Sequence, residues 1–292
     1  MQVFVTGGRT GAPAYFDMAR RCMNPGDERW YGVGFRMGDR AFAHCYVREW
    51  RLRNPGRRLV FLEDSVSFND IHFARHLPAT WFIGSLADEI RVAERPHEPM
   101  DRPEGERLYV TDIRRLWAWV RRNRSSPPAI RPPEDAFARA AAHLDSLPRG
   151  FATVQPLVDA EHTQTRNGRP EWWERVIRAL SAQFPLAVVG ASRIAGRINL
   201  PRNVTPVFDL DPLAALAVIS RSCVHVGGET GFTIWSSVFG RPTVGCYRPI
   251  SVAHPLDVKP IDFAAPAPIV ALGSDPAAVV AAACGIAARR RA

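Results

Sequence analysis

The chain has 292 residues, 46% hydrophobic and 23% charged, the make-up of an ordinary globular protein with room for two domains of about 150 residues. No apolar run approaches the ~18–20 residues of a membrane span, and the N-terminus lacks a basic stretch followed by an apolar core, so no integral membrane segment and a cytoplasmic location are expected. The net charge of +9 rests on arginine, Lys259 being the only lysine, and the arginines are dispersed apart from Arg289–Arg291, which argues for a solvated surface and against nucleic acid as a partner.

In chain order, the first half alternates apolar runs with helical stretches. Val3–Thr6, Tyr31–Phe35, Arg58–Asp64, Thr80–Gly84 and Leu108–Asp112 read as strands. Between them, Arg40–Arg53 sets Phe42, Cys45, Tyr46, Glu49 and Leu52 on a mostly apolar helical stripe. Ser125–Ala136 is rich in proline and reads as a loop, and a helix over Asp135–Leu147 stops at Pro148–Gly150. The second half restarts the pattern. Phe151–Leu157, Pro185–Ala191, Thr205–Leu210, Cys223–Gly228 and Pro242–Tyr247 read as strands, separated by helices at Glu171–Gln183, Pro212–Ser220 and Thr233–Phe239. Strand–helix alternation in both halves predicts an α/β protein of two Rossmann-like parallel-sheet domains, residues 1–148 and 149–292, facing a central cleft.

The opening MQVFVTGGRTGAP resembles the start of a nicotinamide-binding fold, but hydride chemistry finds no support further on. The third glycine of the turn is replaced by Ala14, and Pro13 falls in the first helical turn. Lys259, the only lysine, has no tyrosine four residues before it, and no Gly-Lys dipeptide exists for a P-loop. Met1–Gly11 therefore reads as a structural strand at one edge of a sheet.

The most informative stretch is VHVGGETGFTIWSSVFGRPTVGCYRP, Val224–Pro249. A buried strand ends in Gly227–Gly228, Glu229–Thr230 follows, and Gly231 opens a helix, an arrangement suited to an anionic ligand at a helix N-terminus. This stretch resembles the donor-phosphate loop of GT-B glycosyltransferases, above all the lipopolysaccharide heptosyltransferases. Their Gly-Asn-Asp-Thr-Gly loop stands here as Gly227-Gly228-Glu229-Thr230-Gly231, and their Gly-x-Pro turn as Gly240-Arg241-Pro242.

Two further blocks carry the same resemblance. GFRMGDRAFAHCYVREWRLRNPGRRLVFLED, Gly34–Asp64, is similar to the family's first strand–loop–helix–strand, with Gly38–Asp39 at its Gly-Asp pair and Asn54–Pro55 at its turn. QPLVDAEHTQTRNGRPEWWERV, Gln155–Val176, is similar to the start of its second domain, where threonines and a basic residue precede a Trp-containing helix. The resemblance runs from about residue 30 to 250, and residues 1–29 precede it.

The resemblance implies a GT-B fold and an inverting, metal-independent glycosyltransferase using no cofactor. Asp39 would be the catalytic base. Gly38, Thr163, Thr165, Arg166, Gly228, Glu229, Thr230, Gly231 and Phe232 would bind the donor, with Arg166 meeting phosphate as a planar bidentate group. The partners implied are a nucleotide-sugar donor, ADP-linked (heptose-type) first, and a glycan, glycolipid or small-molecule acceptor. Two other readings stay open at this stage: a sugar-nucleotide epimerase or hydrolase on the same fold, and a non-catalytic sugar-nucleotide-binding protein.

Other patterns are decoys. Asp209-Leu210-Asp211 spells DxD, but Asp211 before Pro212 and an alanine-rich stretch reads as a helix cap. His72 and His76 lack a third metal ligand, and His225 reads as a core histidine. The five cysteines form no CxxC pair, and two of them, Cys223 and Cys246, lie in apolar strand-like runs that suit small buried residues.

Overall fold

The computed structural model describes residues 2–6, 37–63, 77–92, 106–110, 130–156, 168–192, 197–249 and 267–289. The chain divides into two compact units, Met1–Ser125 and Ser126–Ala292.

The first unit contains β1 (Gln2–Thr6), α1 (Met37–Arg53), β2 (Leu59–Glu63), α2 (Ala79–Phe82), β3 (Glu89–Val92) and β4 (Glu106–Val110). Its strands pair in parallel in the order β3-β2-β1-β4. β1 is thus interior, with Val3 opposite both Val60 and Arg107, which corrects the reading of Met1–Gly11 as an edge strand. Pairing partners distant in sequence decide this, and a local pattern does not encode them. α1 buries Ala41, Phe42, Ala43 and Val47. It is tied to the α2 region by two side-chain donors: Arg40 Nη1 to the Leu77 carbonyl at 3.1 Å, and His44 Nδ1 to the Phe82 carbonyl at 2.5 Å.

Thr80–Gly84, expected as a strand, is instead the short helix α2 and its exit. Pro78 sets the entry, the Trp81 and Phe82 amides both reach its carbonyl, and Phe82 packs edge-on against Phe61 at 5.8 Å. Gly84 permits the exit, because a Cβ there would stand 2.1 Å from the Thr80 carbonyl oxygen. The strand follows later as β3, an edge strand whose Glu89 pairs with Arg58 and Arg91.

The second unit contains α3 (Glu134–Ser146), β5 (Ala152–Gln155), α4 (Pro170–Ser181), β6 (Leu186–Gly190), β7 (Val204–Phe208), α5 (Pro212–Arg221), β8 (His225–Gly228), α6 (Gly231–Val238), β9 (Thr243–Tyr247), β10 (Ile269–Ala271) and α7 (Pro276–Arg289). All six strands are parallel, in the order β10-β9-β8-β5-β6-β7. β5, β8 and β9 are buried throughout, as expected of a parallel sheet covered on both faces. The core gathers Trp173, Val176, Ile177 and Leu180 of α4, Val154, Val226 and Val244 of the strands, and Val279 and Ala283 of α7. Trp172 Nε1 donates to the Ser274 carbonyl at 2.6 Å, tying α4 to the turn after β10.

α3 belongs to this second unit, although the sequence boundary at 148/149 would set it with the first. It packs against α5: Arg139 bonds Asp211 at 2.8 Å, and Arg221 lies over the Phe137 ring at 4.8 Å. β10 and α7 extend the sheet and its cover beyond the elements read from the sequence. Tyr31–Phe35 lies outside the described residues. No described helix is long and apolar enough to cross a membrane.

Candidate functional site

In the second sheet, β6 and β7 follow β5 on one side while β8, β9 and β10 lie on the other, so the winding reverses between β5 and β8. Loops leaving the carboxyl ends of two such strands diverge and leave a crevice, the customary ligand position of an open α/β sheet. β8 ends there at Gly228, and Glu229–Thr230 leads into α6.

The local sequence leaves little freedom in this loop. A Cβ at Gly227 would fall 2.4 Å from Thr233 Oγ1 and 2.8 Å from His225 Nε2, so the position requires glycine. Thr230 caps α6 with extended dihedrals (φ −126°, ψ 166°), and its Oγ1 accepts from the Thr233 amide at 3.3 Å. Thr233 Oγ1 in turn donates to the Gly228 carbonyl at 2.7 Å, and the Thr230 amide reaches the same carbonyl at 2.8 Å. The Thr230 hydroxyl proton goes to Gln155 Oε1 at 2.5 Å, which ties the loop to the end of β5. Glu229 is buried at 6% exposure.

This network leaves the first two amides of α6, those of Gly231 and Phe232, without an acceptor among the described residues. Unused N–H groups at the positive end of a helix, placed at the switch point of a parallel sheet, are chemically suited to an anion. Gly228, Glu229, Thr230, Gly231 and Phe232, each named from the sequence, are brought together here. Thr230 contributes as the cap that shapes the loop, since its one proton is already given to Gln155.

Beneath the loop runs a buried hydroxyl–imidazole chain. Ser222 Oγ donates to the Ile219 carbonyl at 2.8 Å, and Thr153 Oγ1 donates to Ser222 Oγ at 3.2 Å. Thr153 Oγ1 has then spent its proton, so at 3.0 Å it accepts from His225 Nδ1. His225 is held as the Nδ1–H tautomer, with Nε2 a bare lone pair beside Gly227. Complete burial pushes its pKa down to about 3.

The remaining candidates fall elsewhere. Thr163, Thr165 and Arg166, along with His72 and His76, lie outside the described residues. Gly38 is the buried second residue of α1 and Asp39 the third, inside the first helical turn; the Asp39 side chain is not among those described. Asp211 is a helix cap as expected: its Oδ1 accepts from the Leu213 and Ala214 amides at 3.0 and 3.1 Å, and Arg139 bonds its other oxygen. Burial pushes that carboxyl up, but Arg139 and the two amides outweigh it and hold the group below the usual carboxylate range. Asp209 bonds the Ser192 amide at 2.9 Å.

Sequence reading missed Gln155 as a separate contributor. It is an amide at the carboxyl end of a strand buried at every position, and local sequence does not show its partner Thr230.

No protein-family model and no curated protein matches the chain. Solved structures do. A family 9 glycosyltransferase from Veillonella parvula superposes with a TM-score of 0.62 at 11% identity, covering 99% of this chain and 97% of that one. The ADP-heptose lipopolysaccharide heptosyltransferase II of Escherichia coli gives 0.58 at 12% identity, with both chains fully covered. The fold is that of the GT-B glycosyltransferases. At such identities the likeness concerns the fold, and the chemistry rests on the site.

Proposed function

We propose that the protein is an inverting, metal-independent glycosyltransferase that moves a sugar from a nucleotide-diphosphate donor to an acceptor hydroxyl. The observation that carries this reading is the β8–α6 loop, whose two open amides stand at the switch point of the second sheet. The diphosphate would sit on the Gly231 and Phe232 N–H groups, with Thr163, Thr165 and Arg166 closing on it from the segment that leaves β5 at the same switch point. Asp39 would take the acceptor proton as the oxygen attacks the anomeric carbon. The bond from that carbon to the phosphate oxygen breaks, and the nucleoside diphosphate departs with its charge stabilised by the helix N-terminus and Arg166. An ADP-linked heptose is the first donor to try, given the similar solved structures.

The test is a thermal-shift screen with ADP-, GDP-, UDP- and TDP-linked sugars, followed by transfer assays with the donor that stabilises best. Donor hydrolysis or isomerisation without acceptor, or binding with no turnover on any acceptor, would overturn the transferase assignment.

Arg166→Ala should weaken donor binding by about 1.5–3 kcal/mol, the worth of a charged hydrogen bond, as read by calorimetric titration. An unchanged Kd would remove Arg166 from the site. Transfer should also continue in EDTA, because a helix N-terminus and an arginine neutralise the leaving group. Asp211→Asn should keep α5 and full activity, since asparagine caps about as well as aspartate. Turnover lost in EDTA, restored by manganese and equally lost in Asp211→Asn, would overturn the metal-free mechanism.

A further inference from the structure

Main-chain amides account for the anion site, yet the side chain at the neighbouring strand end has no role in that account. Gln155 is the last residue of β5, only 4% exposed, and lies opposite Gly227 in the ladder across the switch point. Thr230 Oγ1 already accepts from the Thr233 amide, so its own proton needs an acceptor, and Gln155 Oε1 at 2.5 Å is that acceptor. This contact fixes which end of the carboxamide faces Thr230. Nitrogen and oxygen share one planar carbon, so Nε2 is held beside the loop with two N–H donors. No described residue accepts from them. Nε2 is not among the fully buried atoms that lack a partner, so its donors are open to solvent and to a ligand. Thr230, which this carboxamide meets, is the cap of α6, whose Gly231 and Phe232 amides have no acceptor among the described residues.

We propose that Gln155 is a donor-side ligand: clamped through Oε1 by Thr230, it presents Nε2 to a phosphoryl oxygen of the diphosphate held on the Gly231 and Phe232 amides. The assignment rests on the diphosphate reading of that loop. It gives the site one side-chain donor from β5 besides the main-chain donors of α6. It also gives the Thr230 hydroxyl a purpose, since that hydroxyl orients the amide.

The test titrates the full chain with ADP, GDP, UDP and TDP, with inorganic pyrophosphate, and with the nucleoside of the tightest diphosphate. Gln155→Glu keeps an oxygen for Thr230 but sets negative charge where the N–H donors stood. Diphosphate and pyrophosphate affinity should fall about tenfold or more, with nucleoside affinity and melting temperature unchanged. Gln155→Leu should lose diphosphate affinity too, and it carries the test if the glutamate variant does not fold. Thr230→Val frees the carboxamide but keeps its N–H donors, so it should also lose diphosphate affinity, though less than Gln155→Glu. Wild-type affinity in Gln155→Glu and Gln155→Leu would overturn the assignment while leaving the loop reading intact. So would an equal loss for the nucleoside, since that means that Gln155 only supports the loop. A wild-type chain that binds none of the diphosphates nor pyrophosphate would remove the loop reading itself, and Gln155 with it.

Discussion

Replacing Asp39 with asparagine is expected to reduce glycosyl transfer about a hundredfold or more, the usual contribution of a positioned general base. Asparagine matches aspartate in size and polarity but accepts no proton, so the acceptor hydroxyl would attack without deprotonation. The helix that carries the residue should not move: α1 is anchored by the fully buried Ala41, Phe42 and Ala43 and by the Arg40 and His44 bonds to the carbonyls of Leu77 and Phe82. Nucleotide affinity should therefore stay within about twofold, because the base acts on the transition state and not on the bound donor. Asp39→Ala should behave alike. Steady-state rates together with calorimetric titration of the same preparations check both halves. Transfer at the wild-type rate would exclude Asp39 as the base, and a parallel loss of nucleotide binding would place it among the donor contacts.

The second unit was more legible in the sequence than the first, and the reason is physical. β5, β6, β8 and β9 are covered on both faces, so their apolar runs stand out from the helices around them, and each begins within two residues of its expected start. In the first unit the same rule misleads. Thr80, Trp81, Phe82 and Ile83 are strand formers by composition, yet Pro78, Gly84 and the Phe61 ring make them a helical turn. β3 alternates Glu89 and Arg91 with Ile90 and Val92, a faint pattern suited to an edge strand with ion pairs. The β8–α6 turn was legible because glycines at close approaches leave a mark, as Gly227 does. Gln155 was not, because its meaning depends on Thr230 lying across the switch point, 75 residues further along.

The same buried polar groups make stability sensitive to mild acid. His225 is fully buried at the start of β8 with a pKa pushed down to about 3 by burial. His44 is sealed between α1 and the Phe82 carbonyl with a pKa lowered to about 4; burial is the main cause, the Phe82 carbonyl opposes it and Arg48 adds to it. Both imidazoles are neutral in the folded chain, while in the unfolded chain each titrates near 6.5. The unfolded state therefore binds more protons below that value. The stability due to neutral imidazoles is complete above pH 6.5 and declines as pH falls towards the folded values. At pH 5 each histidine should cost about 2 kcal/mol relative to pH 7.5, since the unfolded group is then almost fully protonated and the folded one is not. The two lie in different units, so denaturant melts that resolve the units should show about 2 kcal/mol lost from each, and a single transition about 4 kcal/mol. Replacing His225 with glutamine, which keeps an N–H for Thr153 Oγ1 but takes up no proton, should flatten the response of the second unit alone. Equal stability at pH 5 and pH 7.5 in the wild-type chain would show that both imidazoles are open to protons in the folded state, and with it that the lone pair beneath Gly227 is not sealed from water.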